Sequence, residues 1–134
     1  MNNVSINNQN LVNSPEYQEF LKNNPGRGYL NIRVYTASQA IPISNLKVVV
    51  STVIGANNVI FFEGYSDSSG IIETIDLPTP KLKFNDLTIP NSMSYNILAT
   101  YTPDNVSENF IVEMYENVNV IQNINIAPIN QEEY

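Results

Sequence analysis

The chain has 134 residues, six Lys plus Arg against thirteen Asp plus Glu for a formal charge of -7, and no Cys, His or Trp. These absences exclude disulfides, thiolate metal sites, thiol nucleophiles and the commonest general base, and the acidic balance would repel a phosphate backbone, so nucleic acid is not an expected partner. Hydrophobic residues make up 43% and charged residues 14%, enough to build one core, while no apolar run approaches the ~20 residues that cross a bilayer, so no membrane insertion is expected.

The first residues have neither a basic start nor an apolar stretch of the kind a secretory signal needs, so the expectation is synthesis in the cytoplasm. Residues 1–13 are Asn-rich and polar, with Val4, Ile6 and Val12 in phase on an extended chain and Leu11 beside them. Two readings stand: a loosely attached tail, or a strand lent to a neighbouring molecule. Next comes one short helix, with Ser14 as its cap, Pro15 in the first position and acids in the first turns, ended by Asn23, Asn24, Pro25 and Gly26. Tyr17, Phe20 and Leu21 fall at i, i+3 and i+4 and make one apolar stripe, suited to sealing the end of the domain or a neighbour's surface.

From Tyr29 the hydrophobic period changes from helical to alternating. Leu30, Ile32 and Val34 alternate with Asn31, Arg33 and Tyr35 in a first strand, and residues 40–45 turn the chain around Pro42. A β-branched second strand spans residues 46–54, a hairpin at Gly55 leads to 59–65, and the turn at 67–70 leads to 71–77. Prolines 78, 80 and 90 frame a crossover with one short strand over 81–89. Strands at 94–102, 109–115 and 118–126 follow, the last interrupted at Ile121 and Gln122. Short strands separated by turn signals at this spacing predict an all-β, seven- to eight-stranded antiparallel Greek-key sandwich. The organisation read from the sequence is a leader over 1–28, a sandwich over 29–129 and a tail over 130–134.

Enzymatic readings must be built without Cys or His. Glu63 and Glu73 could form a carboxylate pair on neighbouring strands, but outward acids usually serve solubility and a small sandwich rarely has a deep cleft. Asp67 and Gly70 fit a structural turn better than a calcium loop, because the segment has one carboxylate where a hard cation needs several. Lys47, Glu73 and Asn123 are the candidates for an internal isopeptide bond, which requires a dry interior; Lys47 more readily points outward with its stem over apolar surface. No catalytic residue, metal ligand or cofactor is assigned. The tyrosines fill core by default, and a sugar platform would need two or three of them on one exposed face.

The segments Gly28-Tyr29-Leu30-Asn31-Ile32-Arg33-Val34-Tyr35 and Ala40-Ile41-Pro42-Ile43-Ser44-Asn45-Leu46-Lys47-Val48 resemble the carboxypeptidase-regulatory-like group of transthyretin-like sandwiches. Residues 65–80, which contain Ser66-Asp67-Ser68-Ser69-Gly70, and the closing 118–129 look like the version attached to spore cortex-lytic and related spore proteins of clostridial spore formers. The resemblance implies an accessory, non-catalytic domain. With no hydrolase in these residues, the expected role is a self-assembling subunit of a spore surface layer or appendage, its arm and helix (Val4, Ile6, Leu11, Val12, Tyr17, Phe20, Leu21) contacting other copies of itself. The alternative from a different class is a module that binds peptidoglycan or another glycan among spore-coat or cell-wall components.

Overall fold

A computed structural model of the chain describes residues 14–36, 41–82 and 91–126. The helix α1 spans Pro15–Asn23. Its start is fixed by Ser14, whose Oγ accepts the Tyr17 amide at 3.1 Å, satisfying one of the donors a helix leaves orphaned. Its end is fixed by Asn24, whose side-chain Nδ2 donates to the Phe20 carbonyl at 2.8 Å. The apolar stripe then turns inward. Phe20 is buried against Ile54 and Val59, with its ring 5.8 Å from Phe61 and 6.3 Å from Tyr17.

Seven strands follow, β1 Gly26–Thr36, β2 Lys47–Ile54, β3 Asn57–Tyr65, β4 Ile75–Thr79, β5 Met93–Tyr101, β6 Val106–Met114 and β7 Asn119–Ile126. They form two layers, a three-stranded sheet in the order β4-β1-β7 and a four-stranded sheet in the order β3-β2-β5-β6. The all-β sandwich expected from the alternation is therefore what forms. Leu30, Ile32 and Val34 of β1, Val48 and Val50 of β2, Ile97 and Ala99 of β5 and Ile124 and Ile126 of β7 are fully buried between the layers. Each set has period two, so one face of every sheet is committed to a single core.

One correction concerns strand direction. The expectation was an antiparallel sandwich, but β1 and β7 pair in parallel, from Tyr29 with Asn119 to Thr36 with Ile126. The remaining pairs are antiparallel. Single-strand periodicity reports which face is buried and is blind to the direction of the neighbour, so nothing in the residue pattern distinguished the two.

A second correction is the strand read at 71–77. The ladder of β4 starts only at Ile75 and runs through Pro78 to Thr79, while Ile71 touches β1 through a lone bridge to Arg33. Pro78 is tolerated because β4 lies at the edge of its sheet, where a missing N–H costs no ladder bond. The leader also reaches further into the fold than its reading suggested. β1 begins at Gly26 rather than Tyr29, and α1 is packed on β2 and β3.

Two close approaches hold the layers in place. Residues 115–118, linking β6 to β7, dock on the start of β1 through Asn117 N to Arg27 O at 2.8 Å and Tyr29 N to Val118 O at 3.0 Å. That approach needs Gly28, since a Cβ there would lie 2.6 Å from the Tyr115 carbonyl oxygen. Just after β3, buried Ser66 donates its hydroxyl to Ile43 O at 2.7 Å and accepts Leu46 N at 3.1 Å, so a polar side chain sits inside without an unmet bond.

Gly28→Ala is expected to destabilise the fold by about 2 kcal/mol, because forcing a methyl against backbone costs more than the fraction of a kcal/mol that Ala recovers by restricting the unfolded chain. The urea midpoint of the variant measures it.

Candidate functional site

Among the described residues no Asp, Glu, Lys or Arg side chain is buried. Glu63 and Glu73 do line one shallow depression of about 340 Å³ with Tyr65 and Asp67, but the Glu63 carboxylate is 2.9 Å from Lys47 Nζ. That hydrogen bond and charge hold the Lys47 ammonium above its ordinary range, as expected for a cation given an anionic partner. Among the described residues no cluster of three or more acids is placed to hold a metal ion.

The isopeptide candidates are not brought together. Lys47 lies in the four-stranded sheet, paired to Glu63 with its side chain about a third exposed. Asn123 is on β7 of the other sheet and Glu73 precedes β4, both exposed. Lys47 alternates with buried Val48, and Asn123 with buried Ile124, so the two point out of opposite faces of the sandwich with the core between them. At 67–70 the Asp67 carboxylate accepts the amides of Ser69 at 2.8 Å and Ile71 at 3.0 Å. Gly70 takes φ 74°, and its site leaves no room for a side chain, a Cβ there falling 2.4 Å from Val34 O. The carboxylate is thus engaged by its own turn.

Of the residues read as a subunit contact, Val4, Ile6, Leu11 and Val12 lie outside the described residues. The helix stripe divides. Phe20 is buried in its own sandwich and Tyr17 is half-buried beside it, while Leu21 remains 38% exposed. Phe20 is therefore corrected from a contact with a neighbour to an internal plug, because the β2–β3 end offers Ile54, Val59 and Phe61 within the same chain.

The feature that periodicity alone did not expose is the character of the sheet edges. β4 contains Pro78 and Asp76; β6 contains Glu108 and Glu113; β3 contains Glu63 and an extra residue opposite the Val50–Ser51 register shift. Proline, charge and bulges are devices that stop one edge from pairing with another. β7 has none of them. It reads Asn-Val-Ile-Gln-Asn-Ile-Asn-Ile without a charge or proline, and among the described residues it pairs with β1 alone. The Tyr29 N to Val118 O bond sets the phase of that parallel ladder. The N–H and C=O of Asn119, Ile121, Asn123 and Asn125 consequently point away from β1.

The interruption at Ile121 and Gln122 belongs to the same edge. Alternation continues without a slip from Val120 to Ile126, but Gln122 occupies a core-side position and Ile121 an outward one. Ile121 is 54% exposed, and Gln122 turns its amide to the Asn123 carbonyl at 3.1 Å. The signal was present in the sequence as a swapped apolar and polar residue.

The outer faces differ. On β1, Tyr29 and Tyr35 alternate with the buried residues and so share the outward side with Asn31 and Arg33. Tyr95 is instead core, its hydroxyl donating to Pro78 O at 2.6 Å and its pKa raised by burial. Outside the four-stranded sheet, Lys47, Val49, Asn58, Asn96, Leu98 and Asn109 line a broad hollow of about 530 Å³.

No family model matches the chain and no curated protein matches it. Similar solved structures include the crystal structure of an (S)-allantoin synthase, 10% identical with a TM-score of 0.54, where the likeness covers 79% of this chain and 42% of that one. A 9R-lipoxygenase from Cyanothece is 11% identical with a TM-score of 0.40, over 90% of this chain and 22% of that one. This chain spans less than half of either structure, and at such identity the first likeness bears on the fold alone.

At the far edge of β6, Glu113 accepts the hydroxyls of Ser94 and Ser92, the latter at 2.7 Å; the Ser94 bond first, then the Ser92 bond, holds its carboxyl below the ordinary carboxylate range. Protons are then bound more readily by the unfolded chain than by the folded one, so this contribution is present above the ordinary carboxylate pKa and is lost as pH falls through the lowered one. Glu113→Gln is expected to lower the melting temperature slightly at neutral pH and to converge with the parent in acid, so that the acid limb of a plot of melting temperature against pH is flattened.

Proposed function

We propose that the protein is a non-catalytic structural subunit that assembles with copies of itself, residues 1–13 of one copy docking on its neighbour. The observation that supports this reading most is β7, an eight-residue edge strand that is free of charge, proline and bulge in a chain of net charge -7. Self-association of an acidic protein is opposed by its own field. An uncharged strand is the segment on which that opposition is least, and its outward Ile121 gains from being covered. The resemblance to carboxypeptidase-regulatory-like, transthyretin-like sandwiches of spore proteins supports the same class, and with it a place in a spore surface layer or appendage.

A second reading has its own observation. Tyr29 and Tyr35 on one outward side, with Asn31 and Arg33 between them, supply stacking faces and hydrogen-bond donors of the kind a glycan takes. Under that reading the chain is a cell-wall or spore-cortex binding module. Retention on purified peptidoglycan, lost in Tyr29→Ala with Tyr35→Ala while the far-ultraviolet spectrum is kept, would select it; equal retention of parent and variant would remove it.

For assembly, Ile121→Lys combined with Asn123→Lys places charge on the open edge, as natural edge strands do. The full-length variant is expected to run as single chains by light scattering and negative-stain microscopy where the parent forms large particles. Unchanged particles would exclude β7 from the contact.

A further inference from the structure

We propose that the acceptor for residues 1–13 of a second copy is the open flank between β6 and β7, where the donated segment adds a fourth strand to the three-stranded sheet. The proposal rests on the assembly reading above and names the surface and the partner segment. It starts from the unequal layers, three strands facing four.

The wider sheet ends at β6, and its pairing with β5 sets Phe110 opposite Ile97, Glu108 opposite Ala99 and Val106 opposite Tyr101. Ile97 and Ala99 face the core and are fully buried, so Phe110, Glu108 and Val106 face the same way. These three are nevertheless only half-buried, in contrast to Val112 at 5% and Met114 at 0% further along the strand. Val106 and Phe110 lie on the rim of the core with Val120 of β7. The flank thus combines partly exposed apolar side chains on its floor with outward-pointing backbone groups of Asn119, Ile121 and Asn125 and the Asn123 N–H on its wall, which among the described residues no neighbouring strand pairs. Main-chain bonds and pockets for alternate side chains are the two requirements of strand addition.

Residues 1–13 suit that flank in length, charge and pattern. Thirteen extended residues reach roughly 43 Å, more than the ~26 Å of an eight-residue strand such as β7. They carry no acid or base in their side chains, so they bring no like charge against Glu108. Val4 and Ile6 share one side of an extended chain, with Asn3, Ser5 and Asn7 on the other; one side can cover Val106 and Phe110 while the other stays in water. A second copy's β7 could not do this, because its core-side Ile124 and Ile126 are already fully buried in its own sandwich.

The donor is a different chain because of where α1 sits. Ser14 begins the helix that packs on β2 and β3, at the opposite side of the β3-β2-β5-β6 sheet from the flank. A strand returned within one chain would have to cross the whole end of the sandwich; one given to a neighbour would not. Each copy then donates at one side and accepts at the other, a head-to-tail contact that propagates into rings or filaments.

The chain has no cysteine, so introduced thiols report alone. Full-length chains bearing Val4→Cys or Ile6→Cys are mixed with full-length chains bearing Val106→Cys or Phe110→Cys, oxidised in air and resolved without reductant, each variant first checked for the parental far-ultraviolet spectrum. Mixed disulfides between the two chains are expected in at least one pairing, and none when the acceptor is Ser107→Cys, whose side chain is on the outward side of β6. Links that form only within a chain carrying both thiols, at the mass of one chain, would overturn donation between copies. Absence of any link, while charge on β7 still dissolves the particles, would overturn residues 1–13 as the occupant and leave assembly through β7 standing. Absence of both particles and links would overturn the assembly reading itself.

Discussion

The parallel ladder between β1 and β7 is the constraint on which the rest of the molecule depends. It joins the first strand of the sandwich to the last, so the three-stranded layer exists only after the chain has built the other layer and returned. Parallel neighbours ordinarily need a crossover connection. Here the crossover is the whole intervening chain, including the four strands of the facing sheet. A fold closed by such distant contacts carries a high loop-closure cost and is slow to form, which is why the return of the chain is held so firmly, by the docking of residues 115–118 on Arg27 and Tyr29 and by the glycine at 28 that lets them approach.

The same ladder fixes which backbone groups remain unpaired. Because β7 spends one set of amides and carbonyls on β1, the other set belongs to the edge, and the chemistry of that edge is decided by what the residues there are not. The three other outer strands carry acids, a proline or a bulge. Among the described residues β7 is thus the one edge strand without a charge, a proline or a bulge. The wider layer also leaves Val106 and Phe110 at the rim of the core with part of their surface uncovered.

Much of this fold was legible in the residues. Alternation located the core face of β1, Ser14 and Pro15 located the start of α1, and Asp67 with Gly70 located the turn between β3 and the segment leading to β4. What could not be read was pairing. Direction, partner and edge position depend on residues far away in the chain, and Leu30, Ile32 and Val34 would alternate identically beside a parallel or an antiparallel neighbour. The strand read at 71–77 slipped for the same reason: Ile71 and Ile72 are apolar enough for a ladder, but the geometry of β1 gives them only a bridge. Phe20 illustrates a different limit. An i, i+3, i+4 stripe states that a helix has a side to bury and does not state in which molecule.

Joining the first and last strands of the chain in parallel also sets how the sandwich answers tension. The beginning of β1 and the end of β7 lie at opposite ends of one ladder, so a pull applied through the chain on either side of them runs along the strands. The bonds of that ladder are then loaded together in shear, instead of opening one after another as a hairpin peeled from its tip would. Resistance to forced extension is governed by the rate of unfolding, and a shear-loaded ladder slows it. A chain drawn from both ends would meet the load with the eight register pairs of that ladder aligned against it.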